Sequence, residues 1–448
     1  MLAPLLAVFL VGCGSQPLKM GAMVSAMNQQ LDTVAVNADE AESKVVRLSE
    51  SMAAAVRFAV SEHEAYQAAL SAEKEALESV GVAESVRFPQ LSANARVGVV
   101  REDGGGQDET TTGGAGGVDL SQLIYDGGES AANINVATAE ALAARAERVA
   151  QGNELALQAA SAWIDVWQYS ERLRRLQDRT GELDTLVSQI ERMASSGMLD
   201  RGALESARRE IVTIQIEESG LVGDLEEARV RFRRFFGHQS RGAVPVSELV
   251  SLAEARAEAG NWGRAPGLQR TVADLIAARN SVAAAESAYR PRARFQAGVT
   301  APLEDSESTD TTAGVVFEYT FGDGGKRQSR LRSATAAVEA AEARFADARY
   351  SLKTDLESAL ARLRSLERSM MLVSEKIRLT TSEAETARSQ IVTGQSSLRL
   401  LVDAEIENFR ARDQQVAMRA EMLKLQLSVA ARTGALGRVI GLENRDDV

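Results

Sequence analysis

Between Ser130 and Gly237 lies the run Val166-Trp167-Gln168-Tyr169-Ser170-Glu171-Arg172-Leu173-Arg174-Arg175-Leu176, and its spacing decides the fold. Val166, Leu173, Thr180 and Val187 recur every seven residues, interleaved with Tyr169, Leu176, Leu183 and Ile190. A heptad of this kind is the seam of one long helix against another. The pattern breaks once, at Ser196-Gly197-Met198-Leu199-Asp200-Arg201-Gly202, and then resumes. Leu204, Ile211, Leu225 and Phe232 interleave with Ile214, Leu221, Ala228 and Phe235, and only Glu218 interrupts the register. The spacing predicts two helices folded back on each other at Gly197. At about 1.5 Å per residue the outgoing arm reaches roughly 100 Å. Such a rod suits mechanical or conductive work better than a catalytic pocket.

The unit occurs twice. Setting Asp126-Gly127-Gly128 on Asp323-Gly324-Gly325 shifts the chain by 197 residues, and Gly197 then falls on Gly394 and Gly237 on Gly434 without a gap. Leu356, Leu363, Met370 and Ile377 form the outgoing seam of the second copy, and Val402, Phe409, Val416, Leu423 and Ala430 its return seam. A repeat of fixed period predicts one supersecondary unit built twice.

Pro89 and Pro291, 202 residues apart, each end a helix and open short alternating runs. Leu91, Ala93, Ala95, Val97 and Val99 share one face of the first run, against Ser92, Asn94, Arg96 and Gly98 on the other. A Gly- and Thr-rich loop is expected over 102–117, leading to a strand over 118–125. The second copy repeats the plan over 294–300 and 313–321, with Val315, Phe317, Tyr319 and Phe321 on one face. Strands of about 9 to 11 residues with one apolar face match the span of an outer-membrane barrel. Four strands cannot close such a barrel, whose smallest forms have about eight. Open edges in lipid leave backbone groups unpaired at several kcal/mol each, so several chains must share one barrel. A soluble sheet capping a coiled coil is the competing reading.

The chain has 448 residues, a net charge of −12 and one cysteine, Cys13, which rules out an internal disulfide. An apolar lead ending in Leu10-Val11-Gly12-Cys13 looks like a bacterial lipoprotein signal without its usual positive start; an ordinary signal peptide is the alternative. Resemblance to that signal implies cleavage before Cys13, a lipid on its sulfur and sorting to the outer membrane. After this lead no run of eighteen apolar residues follows, so no membrane-spanning helix is expected. The acidic balance argues against a nucleic-acid surface. His63 and His238 have no companion at metal-ligand spacing and read as exposed helix residues. The glycine clusters at 104–106 and 113–117 precede a strand and lack a Gly-Lys-Ser/Thr ending, so no phosphate loop is expected. No catalytic constellation appears and no cofactor is expected. Trp163 and Trp167, four apart on a helix, read as packing residues.

The order of these parts carries a resemblance. A helix pair, a strand hairpin entered through Phe88-Pro89-Gln90-Leu91, a Tyr125-Asp126-Gly127-Gly128 turn into a long helix, a glycine-marked tip, and then all of it again: this resembles the TolC-type outer-membrane efflux and secretion proteins. The resemblance implies a mostly α fold with a β-barrel portion. Its long coiled-coil hairpins lie in two internal repeats, and three chains with four membrane strands each form a 12-stranded barrel above an α-helical tunnel in the periplasm. It implies a homotrimer in outer-membrane lipid, with partners in a periplasmic adaptor (membrane fusion) protein and an inner-membrane pump, ABC-type or proton-driven. The docking tips map to Ser196, Gly197, Met198 and Leu199 and to Thr393, Gly394, Gln395 and Ser396, where turn geometry alone is the other reading. The family's second tip often carries an arginine and two aspartates; here Ser396, Leu400 and Asp403 stand there, leaving Asp403 as the candidate periplasmic gate or a plain surface aspartate.

The expected organisation is a signal over 1–12, a lipidated tether over 13–47, repeat one over 48–237, a linker with partial helix over 238–265, repeat two over 266–437 and a tail over 438–448. The membrane-facing set is Leu91, Ala93, Val97, Val99, Val315, Phe317, Tyr319 and Phe321, with Tyr125 joining the last three as an interface girdle. The function expected is an outer-membrane channel-tunnel for efflux or type I secretion. A non-conducting rod spanning the periplasm is the alternative.

Overall fold

The structure is a computed structural model that describes residues 51–102, 109–195, 201–237, 244–302, 309–392 and 398–442. All of these fall in one compact unit, Val46–Val448. In chain order the elements are α1 (Met52–Ser61), α2 (Glu64–Ser85), β1 (Gln90–Glu102), β2 (Glu109–Tyr125), α3 (Glu129–Ser195), α4 (Arg201–Phe236), α5 (Leu252–Gly260), a 3-10 turn (Trp262–Arg264), α6 (Pro266–Ser287), β3 (Arg292–Pro302), β4 (Asp310–Glu318), α7 (Lys326–Val392), α8 (Leu398–Arg432) and α9 (Ala435–Ile440).

The repeat holds at the level of single residues. Helices α3 and α7 have 67 residues each and both bounds differ by 197. Helices α2 and α6 have 22 residues each and differ by 202. Each long helix opens on the same device. Asp126 accepts from the Gly128 and Ser130 amides at 2.9 and 2.7 Å, and Asp323 from the Gly325 and Arg327 amides at 3.1 and 2.9 Å. The intervening glycines have φ of 69° and 96° in copy one and 64° and 88° in copy two, a backbone region other residues resist. Strand thus turns into helix over two residues, and the aspartate satisfies the orphan amides of the first turn. Both carboxylates sit below their ordinary pKa. Burial opposes this for Asp126, but the Ser130 and Gly128 bonds prevail; for Asp323 the Arg327 amide bond leads.

The helices form a layer in which α3 is central. Its first part packs between α2 and α6, and its later part against α4 and α8; α7 packs against α6 and then α8. Where the partners change, α1, α5 and α9 cover the layer and the main core forms. Trp163 is 1% exposed, rests on Phe232 and Phe236 at ring distances of 5.5 and 5.3 Å, and donates Nε1 to the Pro245 carbonyl at 2.9 Å. Beside it Ala156, Ala159, Ala160 and Ala162 are all buried, their small side chains letting the backbones approach closely. The expected seams appear. Val166, Leu176, Ile214, Leu221, Leu225, Ala228 and Phe232 are buried in copy one, and Leu356, Leu363, Val416, Leu423 and Ala430 in copy two. Glu218, the odd member, accepts from Gln177 Nε2 at 3.1 Å across the hairpin.

Several expectations need correction. Residues 109–117, read as loop, belong to β2 and pair with β1 from Glu102↔Glu109 to Asn94↔Gly117; Gly and Thr give no alternation to read, yet the ladder needs only backbone. Tyr319 and Phe321 lie beyond the end of β4. Phe236, not Phe235, is the buried ring at the end of α4; Phe235 meets His63 and Arg234 instead. His63 is not an exposed residue: its side chain is 13% exposed, and Nδ1 accepts the Ala65 amide at 3.1 Å as the N-cap of α2. Of the tail expected over 438–448, residues 438–440 belong to α9, and Ile440 and Leu442 are buried. Cys13, His238 and the tips 196–199 and 393–396 lie outside the described residues.

Candidate functional site

The four strands form one antiparallel sheet in the order β1-β2-β3-β4. Directly opposed residues share a face, so the register sorts the side chains. Leu91, Leu120, Ala297 and Ala313 stand in one row, and Ala93, Val118, Val299 and Thr311 in the next; Phe295 opposes Val315 and Ala293 opposes Phe317. The other face carries Gln90, Ser121, Gln296 and Gly314, then Ser92, Asp119, Gly298 and Thr312, then Asn94, Gly117, Thr300 and Asp310. The first side is mostly hydrocarbon, with Thr311 and with Gln122 opposite Phe295; the second is mostly hydroxyl, amide and carboxylate, with Leu123, Arg294 and Val316 in one row at its helical end. The expected residues Leu91, Ala93, Val315 and Phe317 meet on the apolar side, Val97 opposes Gly114, and Val99 lies in β1 opposite Thr112. Leu91 is 73% and Phe317 77% exposed in the single chain. That is the face a solvent of lipid tails would cover.

Two details sharpen the division. On the polar face Asn94 Nδ2 donates to Asp119 Oδ2 at 2.7 Å, and a Cβ at Gly298 would stand 2.7 Å from Asp119 Oδ1. Glycine there leaves the carboxylate its room. On the apolar face simple alternation from Leu120 would put Tyr125 on the wrong side. The register slips between Leu123 and Tyr125, so Ile124 is an extra residue and Tyr125 comes to oppose Ala293 beside Phe317. A bulge re-aims the ring. Tyr319 and Phe321, past the strand, meet edge to face at 4.8 Å, so the aromatic group gathers at the helical end of the sheet.

The sheet has two free edges, the outer sides of β1 and β4. The helical layer has free flanks too. On the helices at its two sides, Leu77 and Val82 of α2, Val212 and Ile216 of α4, and Tyr350, Met371, Leu372 and Leu379 of α7 are exposed in the single chain. Unpaired strand edges with an apolar face, and apolar helix flanks, are surfaces that a further copy would cover.

Toward the tips, polar ties cross the layer that the heptads did not reveal. Arg172 grips Asp413 with two bonds of 2.7 and 2.9 Å. Burial works against the Arg172 charge, but the Asp413 bonds outweigh it and its pKa is raised. Glu405 meets Arg388 at 2.7 Å and Arg179 at 3.5 Å. Asn408 donates to the Thr380 and Thr381 hydroxyls at 3.0 and 2.6 Å and accepts from Arg412. Asp403 lies exposed in the second turn of α8. These pairs bridge helices more than two hundred residues apart in one case and about thirty in another, so spacing in the chain carries no sign of them. The signal available was only the unusual density of arginine from Arg172 to Arg179.

Known proteins share this arrangement. The outer membrane efflux protein family profile matches residues 55–238 and 262–435, two stretches whose last residues are again 197 apart. The fold superposes on the outer membrane protein VceC of Vibrio cholerae, with TM-score 0.73 and 16% identity, covering 85% of this chain and 95% of that one. It superposes likewise on the CmeC outer membrane channel of Campylobacter jejuni, with TM-score 0.73 and 12% identity over 90% and 92% of the chains. The MtrE outer membrane channel of Neisseria gonorrhoeae gives TM-score 0.69 and 17% identity over 86% and 88%. No curated protein sequence matches the chain. With both repeats matched over most of its length, the chain belongs to the outer membrane efflux protein family, whose members are outer-membrane transport proteins and not enzymes.

Proposed function

We propose that three copies of this chain form the outer-membrane duct of a tripartite efflux system. β4 of each copy pairs with β1 of the next to close a 12-stranded barrel, and the helical layers close beneath it into a tunnel through the periplasm. The observation that carries this is the sheet itself, apolar on one face, polar on the other and open at both edges. Only closure with further copies gives every edge group a partner in lipid. The polar face, with Asp119 and Asn94, then lines the bore. The tips at 196–199 and 393–396 dock on a periplasmic adaptor tied to an inner-membrane pump, which supplies the energy. Asp403, exposed just inside the second tip, faces the entrance as its acidic group. Cys13 carries a lipid that adds to the barrel's hold on the membrane, since one chain alone binds only marginally. The family's name favours efflux over type I secretion as the task.

Conductance of the purified protein in planar bilayers tests the reading. Discrete channel openings are expected. Inserted trimers that never conduct would support the alternative of a periplasm-spanning structural rod. Labelled palmitate appearing in the wild-type chain and not in Cys13→Ala tests the lipid separately.

A further inference from the structure

Away from the sheet, a groove of about 920 Å³ opens between α3, α6, α7 and the 3-10 turn, a volume typical of sites for small organic ligands. Its apolar part is Leu142, Val272, Ile276 and Phe345, of which the first three stay exposed. Five arginines line it, Arg145, Arg148, Arg264, Arg349 and Arg438, and no carboxylate does; Arg148 is bonded to Glu73 and Arg438 to Glu258. The acids nearby are engaged elsewhere: Glu147 with Arg270, Glu342 with Arg279 and Glu258 with Arg438. Among the described residues neither Arg264 nor Arg349 makes an ion pair. Hydrocarbon surface beside unmatched positive charge selects one kind of ligand. A neutral oil would leave the arginines unanswered, and a small polar anion would leave the apolar surface wet.

We propose that this groove binds an amphipathic anion, a chain or fused-ring hydrocarbon body bearing one carboxylate or sulfate. The body lies on Leu142, Val272, Ile276 and Phe345, and the head group takes charge-assisted hydrogen bonds from Arg264 and Arg349. The site rests on the groove's own chemistry and stands or falls separately from conduction through the barrel.

All three tryptophans of the chain, Trp163, Trp167 and Trp262, lie in the helical part, and Trp262 lines the groove. Titrating 12-bromododecanoate into the full-length protein in nanodiscs of zwitterionic lipid therefore reads occupancy as quenching of tryptophan fluorescence. Saturable quenching is expected, absent in Trp262→Phe. In Arg264→Gln/Arg349→Gln the midpoint should rise at least about tenfold, the loss of two charge-assisted bonds. Ile276→Glu should abolish the quenching, and 12-bromododecanol should not quench at the same concentrations. The proposal is overturned if the wild type shows no quenching, as when a neighbouring copy fills the groove. It is equally overturned if Trp262→Phe quenches as before, if the arginine variant keeps the wild-type midpoint, or if the neutral alcohol quenches as well as the acid.

Discussion

Helices α3 and α7 are the same element of the repeat, equal in length and opening on the same aspartate turn, yet they live in different surroundings. Helix α3 has neighbours on both sides and buries a long stretch of itself, including Trp163, Ile164 and Val166. Helix α7 buries single residues spaced along its length, Ala341, Leu356, Leu363, Leu366, Val373, Thr380, Ala384 and Ala387, and exposes Tyr350 by 73% and Leu372 by 71%. The position of Trp163 is held in α7 by Leu360, which is only half-buried. A second pair differs in kind. Arg148 on α3 is buried against Glu73 of α2 and the Tyr66 hydroxyl, while the repeat places Phe345 and Leu275 at the corresponding positions of copy two. One copy built the centre of a subunit and the other its margin. In the proposed trimer the apolar side chains left on α7 would be the counterpart, between subunits, of those that α3 buries within one.

The comparison can be broken at its margin first. Leu372→Glu with Leu379→Glu should leave the helical content of the subunit unchanged and abolish the trimer, read by native mass spectrometry. Intact trimers would show that α7's exposed side is no interface. Next come the centres. Glu73→Ala removes the carboxylate from the buried Arg148 charge and should cost about 3 kcal/mol in a denaturant titration, whereas Glu73→Leu with Arg148→Phe, which moves the copy-two pair into copy one, should cost far less. Similar losses in both would mean that the ion pair holds something the apolar pair cannot. Trp163→Ala should also cost about 3 to 5 kcal/mol, and Leu360→Ala less than about 2 kcal/mol; equal costs would erase the difference between the helices.

The smallest effect concerns what the copies share. Asp126 and Asp323 both have folded pKa values depressed below the unfolded one near 3.8. Their contribution is therefore complete above that value and is lost as pH falls through the folded pKa. Asp126→Ala should lower stability at neutral pH by about 1 kcal/mol, the usual cost of a lost cap, and should flatten the acid limb of the stability curve. A variant with an unchanged acid limb would remove Asp126 from the turn's account.

How far the sequence reads depends on which physical pattern writes each part. Heptads and a gapless repeat put the long helices where they are, because both are local periodicities of large apolar residues. The outgoing half of β2 was hidden because Thr and Gly at 110–117 carry no two-residue alternation. Tyr125 shows a subtler limit. Its face depends on one extra residue at Ile124, which only the pairing with β3 reveals. Glu73 and Arg148, 75 residues apart, and the arginine ties near the tips are contacts of the folded layer and leave no mark on spacing. The two aromatic residues placed too far along β4 were assigned by alternation that ran on past the strand's end.

The central claim is that β1 of one copy pairs with β4 of another. Ser92 and Thr312 lie in one row of the polar face, three strand spacings apart within a chain, or about 14 Å. Across the proposed junction they belong to adjacent strands about 5 Å apart. Because a barrel closes only with a register stagger between strands, which here falls at the junction, Thr312→Cys is paired in turn with cysteine at each polar-face position of β1 from Gln90 to Glu102. Oxidising these variants in outer membranes, with each single variant as control, measures that junction directly. A covalent ladder that stops at three subunits is the result expected. Monomers alone from every pair, in protein that has entered the membrane, would contradict it.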